Sequence, residues 1–261
     1  MISLAILGFI FLFGFNVRPN SNIVLSSEMA QKMGLKIWKN ECGGKIEGLT
    51  SWNEGEEFAS LGIGHFIWYP AGEAVVFQQS FPSLLETFKK NKVALPLWLN
   101  DAVGCPWKSR QEFIESKETT EMKELRQILS EQLSLQVSFM VDRLQNALPA
   151  MLKSIPNENK KAIAYQFHRL ARTPQGVFVL LDYINFKGEG ISSKERYQTE
   201  GWGLVQVLTI MKGSTPETAV KEFIDSAKKI LSKRVQNSPK ERNEHRWLRG
   251  WYSRIDGYTN I

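Results

Sequence analysis

Glu41 stands where a helix-patterned segment gives way to Cys42-Gly43-Gly44, with Trp38 one turn before it. A carboxyl among such neighbours loses part of the hydration its charge needs, so its pKa is expected to rise. A carboxyl that keeps its proton near neutral pH can pass it to a leaving oxygen. A polar turn carrying Glu54, Glu56 and Glu57 follows, and could bring a second carboxylate across a cleft. Two carboxyls in unequal environments are what glycoside hydrolysis requires. In Ser60-Leu61-Gly62-Ile63-Gly64-His65 the two glycines permit a tight turn or the close approach of a bulky substrate. On these residues alone, a surface turn of solvated glutamates is the alternative.

The order of these parts resembles phage-type lysozymes, in which an early helix ends on the catalytic glutamate and a β-hairpin ends in Thr-x-Gly-x-Gly-His. The resemblance implies that Glu41 is the general acid. It sets Ser60 where the family carries its threonine, keeping a hydroxyl that can position a water. The hairpin acid falls on Glu54 by spacing back from His65, with Glu56 as the rival. The family places an aspartate there, whereas only glutamates are available here, and the interval from Glu41 to His65 is a few residues longer. His65 is expected to be a structural hydrogen-bonder behind the glutamate.

A second group lies in the C-terminal half, in Asn185-Phe186-Lys187-Gly188-Glu189-Gly190 and Gly201-Trp202-Gly203-Leu204-Val205-Gln206. Glycines on both sides of Glu189 indicate a loop from which its carboxylate projects. Trp202, entering a helix, can offer an indole to a sugar face, with Gln206 one turn inside. Lysozyme-like enzymes, lytic transglycosylases among them, similarly bring glycine, glutamine and aromatic segments to the cleft wall. Glu189, Trp202, Gln206 and His65 are therefore expected to bind substrate. The alternative for Trp202 and Tyr197 is core packing.

Other chemistries lack their residues. His65, His168 and His245 are far apart, with no Gly-x-Ser-x-Gly elbow and no His-Glu-x-x-His pair. Cys42 and Cys105 have no metal-ligand spacing to a histidine; they are expected to pair in an oxidising compartment, or else to be two buried thiols. No metal and no cofactor is expected. The basic C-terminal segment with Arg242, Arg246, Arg249, Trp247 and Trp251 could interleave cations and aromatics against nucleic acid or glycan. It is read as a staple fastening the chain end to the domain.

The elements that must position these residues can be traced from the pattern. A helix is expected from Ser26-Ser27-Glu28 to about Asn40, then one or two small strands between Leu49 and Trp68, then a loop-rich stretch marked by Pro82, Pro96 and Pro106. An apolar stripe from about Lys117 runs until Pro149. Further helices are expected at Asn157 to Arg172, Pro174 to Ile184 and Gly203 to Met211, and from Thr215 with Pro216 in its first turn. The fold class is α+β, mostly α, and lysozyme-like, with a small β-hairpin element near the N-terminal side of a helical domain, and not a doubly wound sheet.

Composition fits a folded, exported chain. Of 261 residues 43% are hydrophobic and eight are tryptophan, enough for a sizeable core. The formal charge is +6 and the pI near 9.2, which favours an anionic partner such as a wall polymer. Residues Ile2 to Phe15 form an uncharged apolar run, shorter than a membrane span. Residues 1–25 are expected to be a signal peptide or weak membrane anchor, although no basic residue precedes the run and no small-x-small triplet follows it. Residues 26–261 are expected to form a single lysozyme-like domain. The expectation is a monomeric peptidoglycan glycosidase of the muramidase type, periplasmic or at the outer face of the inner membrane. It would act on peptidoglycan or a related glycan, with no nucleic-acid partner. Without a well-placed second carboxylate a lytic transglycosylase is the alternative, and a non-catalytic wall-binding protein is the rival from another class.

Overall fold

The computed structural model describes residues 23–73, 78–193 and 195–259. The expected signal segment lies outside the described residues up to residue 22; among those described, no helix is long and apolar enough to cross a membrane. The first helix, α1 (Ser27–Cys42), starts where the Ser26 side chain accepts the Met29 N–H at 3.2 Å, and ends at Gly43 in a left-handed conformation (φ 62°). Ala30, Met33, Gly34 and Ile37 form its buried stripe. A Cβ on Gly34 would lie 2.8 Å from the Leu133 side chain, so a glycine is required for α1 to lie this close to its neighbour.

Three short strands follow, β1 (Thr50–Ser51), β2 (Ala59–Leu61) and β3 (Phe66–Trp68), in one antiparallel sheet of that order. Thr50 pairs with Leu61, and Ala59 with Trp68. The β2–β3 turn is the Gly62-Ile63-Gly64-His65 segment, in which both Gly62 (φ 68°) and His65 (φ 47°) are left-handed. Buried Gln136 buttresses it, accepting the Ile63 N–H at 3.0 Å and donating to the Leu129 carbonyl at 2.6 Å.

The remainder is helical: α2 (Phe81–Lys90), α3 (Leu97–Asn100), α4 (Arg110–Glu115), α5 (Thr120–Glu131), α6 (Leu133–Lys153), α7 (Asn157–Ala171) and α8 (Pro174–Lys187), then α9 (Leu204–Ile210), α10 (Ala219–Asn237) and α11 (His245–Asp256). Between α8 and α9 the strands β4 (Arg196–Tyr197) and β5 (Glu200–Gly201) form a small hairpin. This is a mostly helical α+β chain with small antiparallel sheets. The central helix is α8: Val177 to Leu181 and Tyr183 are all buried, the all-round apolar character of a helix surrounded by others. One contiguous hydrophobic cluster runs from Ala30 to Tyr258.

Several boundaries differ from the sequence pattern. The stripe from Lys117 is two helices, divided at Gln132 (φ −103°, ψ 35°), and Pro149 lies inside α6 instead of ending it. A proline there removes one helical hydrogen bond and crowds the carbonyl four residues back, a local cost that α6 carries in its last turns. Pro216 opens a 3-10 turn (Pro216–Thr218) leading into α10. The β4–β5 hairpin and α11 as a helix were not expected.

The basic chain end is fastened to the domain through stacked cations and rings. Arg234 lies 4.0 Å over the Trp202 ring and 4.9 Å over Trp251, and Lys187 lies 3.6 Å over Trp251. Buried Glu244 accepts both Nε and Nη2 of Arg234, at 2.7 and 2.8 Å, and the Tyr197 hydroxyl at 2.6 Å.

Candidate active site

The last turn of α1 delivers Asn40 and Glu41 against the β2–β3 turn, the C-terminal half of α8 and the end of α11. Glu41 Oε1 accepts Asn185 Nδ2 at 3.0 Å and Arg254 Nη2, while Oε2 faces His65 Nε2 at 3.3 Å. Its side chain is 13% exposed. Asp182, three residues before Asn185 and so on the same side of α8, is fully buried. It receives Arg254 Nε at 2.8 Å and Nη2 at 2.9 Å, the Tyr258 hydroxyl at 2.8 Å and Asn40 Nδ2 at 3.2 Å. Arg254 thus grips Asp182 with a two-bond fork and shares one nitrogen with Glu41.

This arrangement overturns the expected rise in the Glu41 pKa. Burial does push it up, but the hydrogen bond from His65 and the charge and hydrogen bond of Arg254 outweigh that and bring it down to about 2. The sequence pattern supplied the desolvation and gave no sign of the counter-ion.

Beside this centre lies a cleft of about 460 Å³, with Gly64 and Phe66 on the sheet side, Arg143 on α6, and Asn185, Glu189 and Glu195 on the far wall. Glu189 sits between Gly188 (φ 80°) and Gly190 (φ 83°), left-handed positions that let the chain leave α8 and double back. The loop is pinned: Leu204 N–H donates to Gly188 O and Val205 N–H to Glu189 O, both at 3.0 Å. Burial pushes the Glu189 carboxyl up; Arg143 opposes this and Glu195 adds to it. Glu195 is raised by burial as well, against the Gly190 N–H and Arg234. The cleft is thus lined by two carboxyls that burial pushes up, Glu189 and Glu195, while Glu41, outside its lining, is held down by His65 and Arg254.

The chain matches no family model, no curated protein and no solved structure.

Of the residues nominated from the sequence, Glu41 and His65 meet, and Glu189 lines the cleft beside them. Glu54 and Glu56 lie on the β1–β2 connection, where Glu56 accepts Asn53 Nδ2 at 3.0 Å. Neither is among the residues lining the cleft. Ser60 is buried in the middle strand, its carbonyl accepting the Ser51 hydroxyl at 3.2 Å, and it too is outside the cleft wall. Trp202 takes the packing alternative: it is 8% exposed, with Arg234 over its ring and Tyr197 at 4.7 Å between centroids. Gln206 is occupied in holding the loop, accepting the Gly203 N–H at 2.9 Å and donating to the Gly190 carbonyl at 3.0 Å. Asn185, Asp182 and Arg254 were missed as parts of the site. The one local signal was the spacing of Asp182 and Asn185, two polar residues on one side of α8 that follow its apolar run from Val177 to Leu181.

Cys42 and Cys105 are free thiols, the second of the two readings left open by the sequence, with Cys105 buried and Cys42 half-buried. Burial pushes the Cys42 thiol up to about 11, with the Glu41 charge adding to it. It pushes Cys105 to about 12, against a hydrogen bond to the Trp107 backbone and with the Glu112 charge. Titration of the unfolded, non-reduced protein with a thiol reagent should count two reactive groups; a count of zero would mean that the cysteines had been oxidised. Among the described residues no cluster of three His, Cys, Asp or Glu side chains is arranged to hold a metal.

Proposed function

We propose that the protein is a lysozyme-like peptidoglycan glycosidase of the muramidase type, with Glu41 as its essential carboxyl. The observation that carries this reading is the meeting of Glu41, at the end of the first long helix, with His65 of the Gly-x-Gly-His turn, beside a cleft of about 460 Å³. That volume is in the range of pockets that bury a small ligand, and its mixed apolar and charged wall suits a sugar ring with polar substituents. A monomer acting outside the cytoplasm, through its own side chains, remains the working picture. The net charge of +6 favours approach to an anionic wall polymer.

A specific observation favours a second reading. Arg254 neutralises Glu41, and a carboxylate fixed in an ion pair is what a wall-binding protein without turnover would have. Digesting purified peptidoglycan sacculi with the full chain and weighing the fragments separates the readings. Hydrolysis yields fragments with ordinary reducing ends. Fragments one water lighter, with anhydro ends, identify intramolecular attack by the sugar's own hydroxyl, hence a lytic transglycosylase. Sacculi that bind the protein and release no fragments leave the wall-binding reading.

A further inference from the structure

We propose that Glu189, and not Glu41, carries the proton to the leaving oxygen, while Glu41 stays a fixed carboxylate that holds Asn185 in the cleft wall. This rests on the glycosidase reading and divides its chemistry between two residues. The geometry that supports it is the difference in what the two carboxyls touch. Both Glu41 oxygens are already taken, by Asn185 and Arg254 on one side and His65 on the other, and Glu41 is not among the residues lining the cleft. Glu189 lines the cleft itself, and among the described residues its carboxyl takes no hydrogen bond.

The loop that carries Glu189 is built for placement. Left-handed Gly188 and Gly190 set its course, and the first turn of α9 fixes two of its carbonyls. Gln206, which the sequence offered as a substrate contact, clamps the third at Gly190. Another carboxyl is packed against the same loop: a Cβ on Gly188 would lie 2.7 Å from Glu195 Oε1. A second negative charge so near discourages Glu189 from ionising. Among the described residues the charged groups acting on Glu189 are Arg143 from α6 and Glu195, and Arg234 of α10 acts on Glu195 in turn. Pairs of carboxyls whose surroundings push them apart in this way are how acid and base roles are divided in enzymes.

The step balances with water as the co-reactant. Glu189 gives its proton to the glycosidic oxygen as the bond from that oxygen to the anomeric carbon breaks, and the bonding pair leaves with the oxygen. Positive charge grows on the sugar ring beside Asn185, the cleft-wall residue that donates to the fixed Glu41 carboxylate. Water then forms the new bond to the anomeric carbon, and its surplus proton returns to Glu189.

The test uses the full chain with Glu189→Gln and Glu41→Gln on two substrates, sacculi and a nitrophenyl glycoside of the same sugar. Nitrophenolate departs without a proton. Glu189→Gln should therefore lose about 10²-fold or more on sacculi and less than about tenfold on the aryl glycoside, with its basic pH limb abolished. Glu41→Gln should lose heavily on both. Glu189→Asp keeps an acid in a retracted position, so it should fall between the two and retain the limb. As a readout apart from activity, the side-chain carboxyl carbon of Glu189, followed by NMR, should titrate above that of Glu41. Full activity of Glu189→Gln on sacculi, the leaving-group signature appearing in Glu41→Gln instead, or a Glu189 midpoint below that of Glu41 would overturn the assignment and leave the glycosidase reading standing. A wild-type protein inactive on both substrates overturns that reading, and the proton donor with it.

Discussion

Replacing Arg254 with methionine should destabilise the protein by about 3–5 kcal/mol at neutral pH and raise the protonation midpoint of Glu41 well above 2, because it strands two carboxylates. Asp182 is fully buried and Glu41 is 13% exposed, so neither can recover its lost partner from bulk water. Methionine fills most of the volume, which confines the effect to charge and hydrogen bonding. Arg254 itself holds its proton firmly: burial opposes its charge, but the bonds and charges of Asp182 and then Glu41 prevail. For Glu41 the sign follows from linkage. Its folded pKa is depressed, so the stability it contributes is present above its unfolded value near 4.5 and is lost as pH falls towards about 2. In Arg254→Met the burial that raises Glu41 is left with only His65 and Asn185 against it, and most of that contribution disappears at every pH. Urea unfolding of the two proteins should therefore differ most near pH 7, and the gap should narrow near pH 3. A gap that is constant with pH would show that Arg254 supports the fold without setting the charge of Glu41.

How much of this centre could be read from the chain depends on the range of each interaction. The end of α1 was legible because its determinants are local: a serine cap, apolar residues at helical spacing that include Met33 and Ile37, and glycines beyond the last turn. The meeting of Glu41 with His65 was legible because a short sheet returns the chain within a few tens of residues, and glycines mark the turn. Arg254 was not legible as the partner of Glu41. It lies 213 positions further along. The face of α11 turned inward carries Leu248, Trp251, Tyr252 and Ile255 at helical spacing, and this apolar stripe says nothing of the arginine at its edge. Asp182 was overlooked because a lone acid within an apolar run is hard to tell from a helix end. The placement of Trp202 and Gln206 turned on a different point. An aromatic between two glycines can face a ligand or the core, and only the cation above it, from α10, decides. Glu54 and Glu56 followed from family spacing, but the interval after Glu41 is longer here, and their turn does not reach the described cleft.

Glu41→Gln is the substitution with the largest expected effect on activity. On sacculi the rate should fall by at least about 10²-fold, whether Glu41 gives the proton itself or stays the charged anchor of Asn185 in the cleft wall, since the amide can be neither. The fold should survive. Glutamine keeps the length and one acceptor for Asn185 or Arg254, and Arg254 retains both bonds to Asp182. What is lost is one charge-assisted contact, a cost of about 1–3 kcal/mol at neutral pH. That cost carries its own signature. Wild-type Glu41 must take up a proton as pH falls from its unfolded value near 4.5 to about 2, while glutamine has none to take, so the two stability curves should converge towards the acid end. Convergence together with collapsed activity would mean that a charged Glu41 serves both the ion pair and the reaction. Convergence with undiminished release of fragments would remove Glu41 from the chemistry and leave it as a structural ion pair. Binding to sacculi by both proteins, with no fragments from either, would make the Glu41–Arg254 pair part of a scaffold that holds the wall without cutting it.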